Sequence, residues 1–110
     1  MSLEYAVTEA QGACIYSIKG RVDSATASDM EQALKDVFSA AGKRVVVDFS
    51  ALDYISSAGL RVVLMLAKRA KQAQGRLVLC GLSPQVREVF EISGFLKILE
   101  VVSNQAAALT

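Results

Sequence analysis

Histidine is absent from all 110 residues. Its absence removes the usual general base for an activated serine and the commonest transition-metal ligand. A Ser-His-Asp hydrolase is therefore excluded, and metal-assisted hydrolysis is strongly disfavoured. Cysteine is nearly as scarce. Cys14 and Cys80 are the only two. They are far apart, form no CxxC pair, and each sits in an apolar strand-like run. They read as reduced core thiols rather than as a metal site or a disulfide framework, which fits the cytoplasm. An excess of either charge is missing too. Twelve Lys and Arg stand against eleven Asp and Glu, for a net charge of +1. That balance argues against a nucleic-acid surface and against a polybasic membrane contact. No apolar run approaches the roughly 20 residues needed to cross a bilayer. Met1-Ser2-Leu3-Glu4-Tyr5 shows no basic stretch followed by an apolar core, so no signal peptide is expected. The glycines match neither a Walker A loop nor GxGxxG, which leaves no motif for a nucleotide. No catalytic residue, cofactor or metal is expected.

What is present is apolar: 53% of the residues are hydrophobic, enough for one domain with a well-buried sheet. Leu3–Val7 alternates weakly as a first strand, and Gln11-Gly12 reads as a turn. Ala13–Lys19 is a second strand, ended by Gly20. Ser24-Ala25-Thr26 introduces a helix whose apolar stripe is Ala27, Met30, Leu34, Val37 and Phe38, with Gly42 as its stop. Lys43–Phe49 is the clearest strand. Val45, Val46 and Val47 do not alternate with polar residues, so both faces are expected to be covered. A helix from Ser57 to about Gln72 places Leu60, Val63, Leu64 and Ala67 on one face and Arg61, Lys68, Arg69 and Gln72 on the other. Arg76–Cys80 is a further buried strand. Ser83-Pro84 opens a helix with serine as N-cap and proline at its first position. Val86, Val89 and Phe90 form its stripe, and Gly94 closes it. Ile98–Val102 is a last short strand, and Asn104–Thr110 an alanine-rich tail, either a helical turn or frayed. The alternation predicts one α/β domain over residues 1–110. Its mixed sheet of about four or five strands packs against three to four helices, and right-handed crossovers make the later strands parallel neighbours.

The most informative stretch is Val45–Arg61. An apolar run stops at Asp48, a short connection follows, and Ser56-Ser57-Ala58-Gly59 opens a helix. Backbone amides at that mouth lack intrahelical partners and the dipole is positive. As an N-cap, Ser57 satisfies one free amide, worth about 1 kcal/mol. As a phosphoacceptor it needs exposure, a kinase and a place that tolerates the product. Residue chemistry alone leaves both readings open, the cap being the simpler. Asp23, Asp48 and Asp53 could be taken as an acidic cluster for Mg²⁺. The plainer reading has Asp48 capping a strand end and Asp53 in a turn. Val62 and Met65 lie among Arg61, Lys68 and Arg69, as a docking surface or as contacts to a neighbouring helix or a terminus.

The chain resembles a known family. Ser56-Ser57-Ala58-Gly59-Leu60 looks like the signature of STAS domains, above all the bacterial anti-sigma factor antagonists. Gly20-Arg21-Val22-Asp23 with Thr26 resembles the glycine–x–x–aspartate segment before the family's first helix. Val45–Ser50 resembles its central strand. Leu77–Gly81 with Ser83-Pro84 and Val86 resembles its next strand and helix, and Phe90-x-x-x-Gly94-Phe95 its closing segment. The resemblance implies a non-enzymatic STAS-like domain in a partner switch. Unphosphorylated, it binds an anti-sigma factor serine kinase and frees a sigma factor. Phosphorylation separates the pair, and a PP2C-type phosphatase restores the hydroxyl. The family's phosphorylated serine, two positions before the glycine, falls on Ser57, with Ser56 as the alternative. Ser56 stands where many antagonists have an acidic residue, and Ala58 where a second serine or threonine is common. The implied partner-binding residues are Asp23, Ser56, Ser57, Ala58, Gly59, Arg61, Val62 and Met65. A monomer or weak dimer in the cytoplasm is expected. The alternative within the same family is a scaffold module of a signalling assembly with no phosphate cycle. A small enzyme or ligand carrier using Asp48, Asp53 and Ser57 ranks last, because it needs a pocket where those groups converge.

Overall fold

The computed structural model describes residues 3–39 and 42–109; the outer ends of the expected 1–110 domain and Thr110 of the expected tail lie outside them. Five strands form one sheet in sequential order: β1 (Glu4–Ala10), β2 (Ala13–Val22), β3 (Arg44–Ile55), β4 (Arg76–Cys80) and β5 (Glu100–Val102). β1 and β2 pair antiparallel through the turn at Gln11-Gly12, where both residues have positive φ. Every later pair is parallel, as the alternation of strands and helices requires. Helix α1 (Ala27–Leu34) joins β2 to β3, α2 (Ser57–Gln72) joins β3 to β4, and α3 (Pro84–Ser93) joins β4 to β5.

Strand alternation divides the sheet into two faces. Val45, Val47 and Phe49 point to one, together with Ile18 and Leu79, under the apolar stripes of the three crossover helices. Phe49 and Phe90 are fully buried there, with ring centroids 6.4 Å apart. Val46 points to the other face with Ile15, Val78 and Cys80, and Ala108 covers them. Ala108 belongs to a last short helix, α4 (Gln105–Ala108), capped by the Asn104 side chain, which accepts from the Ala107 amide at 2.9 Å. The unbroken valine run of β3 thus has cover on both sides, and the tail is a helical turn rather than a frayed end.

Both α3 boundaries are where the sequence puts them. Ser83 Oγ accepts from the Val86 amide at 3.3 Å, and Gly94 closes the helix in the left-handed conformation. Other boundaries moved. β1 runs to Ala10 rather than Val7. β5 begins at Glu100 rather than Ile98, because the Ile98 and Leu99 amides still donate to the Phe95 carbonyl, at 3.2 and 3.1 Å, as the 3-10 turn at Phe95–Lys97 closes. Gly20 does not end β2. The strand continues to Val22 through register irregularities at Ser17/Lys19 and Gly20/Arg21, since β3 runs alongside it as far as Ile55. α1 stops at Leu34, although Val37 and Phe38 are buried as expected. The chain leaves the helix and packs on the far end of α2. There a Cβ on Gly75 would meet the Phe38 ring at 3.0 Å, and the Gly42 amide donates to the Ala73 carbonyl at 2.9 Å.

The largest correction concerns β3. Asp48 caps no strand end and Asp53 lies in no turn. Both are strand residues, Asp48 buried and Asp53 exposed. Asp48 Oδ1 accepts from the Ser50 amide at 2.8 Å, and Oδ2 accepts from Gln105 Nε2 at 2.6 Å. The carboxylate is tolerated inside because α4 brings it a donor.

Burial pushes the Cys80 thiol up to about 11, and the Asp48 carboxylate adds to this. A raised folded value stabilises the protein fully below the unfolded thiol value and is lost as pH rises through the folded one. Urea titrations are expected to show about 2 kcal/mol of stability lost between roughly pH 9 and 11 through this thiol. Cys80→Ala flattens that fall; an unchanged slope in the variant contradicts the assignment.

Candidate functional site

At the β3–α2 junction the two serines do different work. Ser56 is the N-cap, in extended conformation. Its Oγ accepts from the Gly59 amide at 3.3 Å and its carbonyl from the Leu60 amide at 3.0 Å. Its own amide donates to the Val22 carbonyl at 2.7 Å, tying the helix mouth to the end of β2. Ser57 is the first helical residue. It is exposed, and its hydroxyl makes no hydrogen bond to any described residue. The cap role open to Ser57 in the sequence therefore belongs to Ser56, because the extended turn out of β3 falls at Ser56 and a cap lies just outside the helix. Gly59 permits this seat. A Cβ there would come within 2.6 Å of Val22 Cγ1 and 2.7 Å of Ile55 Cγ1.

Beside the helix mouth is the β2–α1 turn. Asp23 Oδ1 accepts from the Ala25 amide at 2.9 Å and the Thr26 amide at 3.0 Å. The buried Thr26 hydroxyl donates to the Arg21 carbonyl at 2.7 Å and accepts from the Asp23 amide at 3.0 Å. The Thr26 backbone bond comes first among the causes that hold the Asp23 carboxyl below its usual range. Asp23 thus braces its own loop, and its second carboxylate oxygen makes no bond to a described residue. On the face of the sheet opposite Val22 and Ile55, the Arg21 guanidinium lies 4.6 Å from the centre of the exposed Tyr54 ring.

Between α1 and α2 runs an open groove of about 320 Å³. Ser24 and Glu31 lie on one side, with Ala58, Arg61, Val62 and Met65 on the other. Val62 is buried in the main core, while Leu64 and Ala67 are only half-buried. This corrects the expected face of α2. Val62 does not lie opposite the core stripe, because α1 sits beside α2 and widens the buried arc to Leu60, Val62, Val63, Leu66 and Ala70. Val62 is a contact between helices; Met65 is half-exposed at the groove wall.

The structure therefore brings Ser56, Ser57, Ala58, Gly59 and Arg61 together on one helical turn and a half, with the Asp23 loop beside them. It does not gather the carboxylates. Asp53 stands five positions beyond Asp48 on β3, roughly 16 Å along the strand, and Asp48 is engaged beneath α4. Among the described residues no three His, Cys, Asp or Glu side chains are placed to hold a metal ion. No described helix is long and apolar enough to cross a membrane. Sequence reasoning missed the groove residues Ser24 and Glu31, the Arg21–Tyr54 contact and the Gln105 donor to Asp48. Tyr54 and Arg21 could have been found from strand alternation, which places them opposite the buried Ile55 and Val22.

The STAS domain family profile matches residues 4–108. BtrV of Bordetella bronchiseptica, assigned as an anti-sigma factor antagonist, is 54% identical over 97 residues, covering 88% of this chain and 84% of that protein. The anti-sigma F factor antagonist of Paenibacillus polymyxa is 29% identical over 112 residues, covering all of this chain and 95% of that protein. The crystal structure of an anti-sigma factor antagonist from Mycobacterium paratuberculosis superposes with a TM-score of 0.85 at 23% identity, over 97% of this chain and 91% of that one, and so shares the fold.

Gly59→Ala is expected to destabilise the protein by about 1–3 kcal/mol through overpacking against Val22 and Ile55. That outweighs the gain in helix propensity of about 1 kcal/mol. Urea unfolding checks it; a variant as stable as the wild type contradicts the close seat.

Proposed function

Because the chain belongs to the STAS domain family, we propose that it is an anti-sigma factor antagonist that works in the cytoplasm as a phosphorylation-controlled partner switch. The observation that carries this reading is the unengaged, exposed hydroxyl of Ser57 beside the engaged hydroxyl of Ser56. Unmodified, the face formed by the start of α2, the Asp23 loop and the α1–α2 groove binds an anti-sigma factor serine kinase. A sigma factor is thereby freed for transcription.

The kinase transfers the γ-phosphoryl group of ATP to Ser57 Oγ, which loses its proton as ADP leaves. The kinase supplies the base that takes the proton. A PP2C-type phosphatase hydrolyses the ester with water, releasing inorganic phosphate and restoring the hydroxyl. Ser56 is the poorer acceptor. Its oxygen is half-buried and already engaged by the Gly59 amide, so it is presented less openly than that of Ser57.

The magnitudes favour a switch by lost binding. Phosphate adds about −1.5 to −2 charges at neutral pH. At a helix N-terminus that charge is favoured by about 0.3–1 kcal/mol, so the fold survives. Buried without a partner in an interface it costs several kcal/mol. Inverting a population from 1:99 to 99:1 takes about 5.5 kcal/mol, which is the same scale.

Calorimetric titration of the cognate kinase tests this. Ser57→Asp is expected to weaken binding at least about 100-fold, or roughly 2.7 kcal/mol. Ser56→Ala should bind nearly as the wild type does while losing about 1 kcal/mol of stability. Equal binding by Ser57→Asp and wild type overturns the proposal.

A further inference from the structure

We propose that Arg61 is the partner, within the same chain, of a phosphate on Ser57; this rests on the reading of Ser57 as the phosphoacceptor. Ser57 and Arg61 stand four residues apart on α2 and both are exposed. Residues at that spacing are neighbours on one helical face, and an anion on the N-terminal side of a cation is the favourable order. Arg61 makes no ion pair or hydrogen bond to any described residue, so its guanidinium is available. It is also the right group, because its planar fork grips two phosphate oxygens where an ammonium offers a point charge.

The other charged groups around the helix mouth are placed differently. The Arg21 guanidinium is held over the Tyr54 ring. Asp23 Oδ1 is engaged within its own loop. Asp53 precedes the junction as an exposed residue of β3. Glu31 faces Arg61 across the groove from α1. Lys68 and Arg69 both lie about two turns beyond Arg61 on α2.

Modification then does two things at once. It places a dianion at the helix mouth, and it draws the Arg61 guanidinium from the groove wall towards that mouth. The groove loses its cation and keeps Glu31. A partner that reads the α1–α2 groove meets a changed charge there as well as at Ser57.

The test uses the full chain with phosphoserine installed at position 57 during translation, so that no kinase is needed. Phosphorus NMR follows the second ionisation of the phosphate with pH. A neighbouring cation favours the dianion and lowers that value. In the wild-type background it is expected about 0.3 below its value with Arg61→Gln. Arg61→Lys should fall between the two, and Arg21→Gln should match the wild type. No difference between wild type and Arg61→Gln overturns the inference, as does a shift produced by Arg21→Gln instead. Because the phosphate is installed directly, either result leaves kinase binding to be judged separately by Ser57→Asp.

Discussion

The hydrogen bond from the Ser56 amide to the Val22 carbonyl, 2.7 Å long, sets the geometry on which the rest of the site depends. It fastens the start of α2 to the last residue of β2, directly before the Asp23 loop. With its amide so held, Ser56 turns its hydroxyl inward to the Gly59 amide. Ser57 is then the first residue whose side chain faces outward. Two adjacent serines of identical chemistry acquire opposite roles, one structural and one available. Gly59 is the condition for this, since any side chain there would strike Val22 and Ile55.

The sheet supplies the rigidity that the junction needs. β2 and β3 run parallel to their ends at Val22 and Ile55, so the Asp23 loop and the α2 mouth emerge side by side. The crossover helices cover one face, and α4 closes the other through Ala108 and the Gln105 contact to Asp48. Neither the loop nor the helix mouth has to be ordered by a partner. A charge added at Ser57 therefore acts on association rather than on folding.

Much of this was legible from residue order. The valine run of β3, the Ser83-Pro84 start and the Gly94 stop of α3, and the serine–glycine opening of α2 all carry local signals strong enough to fix their elements. What was not legible depends on neighbours distant in sequence. Asp48 looked like an end because a carboxylate interrupts an apolar run, and only α4, 57 residues on, explains its place within the strand. Gly20 looked like a stop, but pairing with the full length of β3 carries β2 past it. The stripe on α2 was misaligned because α1 buries a flank that helical periodicity alone assigns to solvent. Which serine caps α2 turned on where the extended backbone ends, a one-residue question that propensity does not resolve.

The central claim is the separation of the two serines. The most direct measurement is tandem mass spectrometry of the intact chain after incubation with its cognate kinase and ATP, with the phosphate located by fragmentation. The account predicts a single phosphate on Ser57 and none on Ser56. Phosphate found on Ser56, or on neither serine while the kinase modifies another residue, contradicts it.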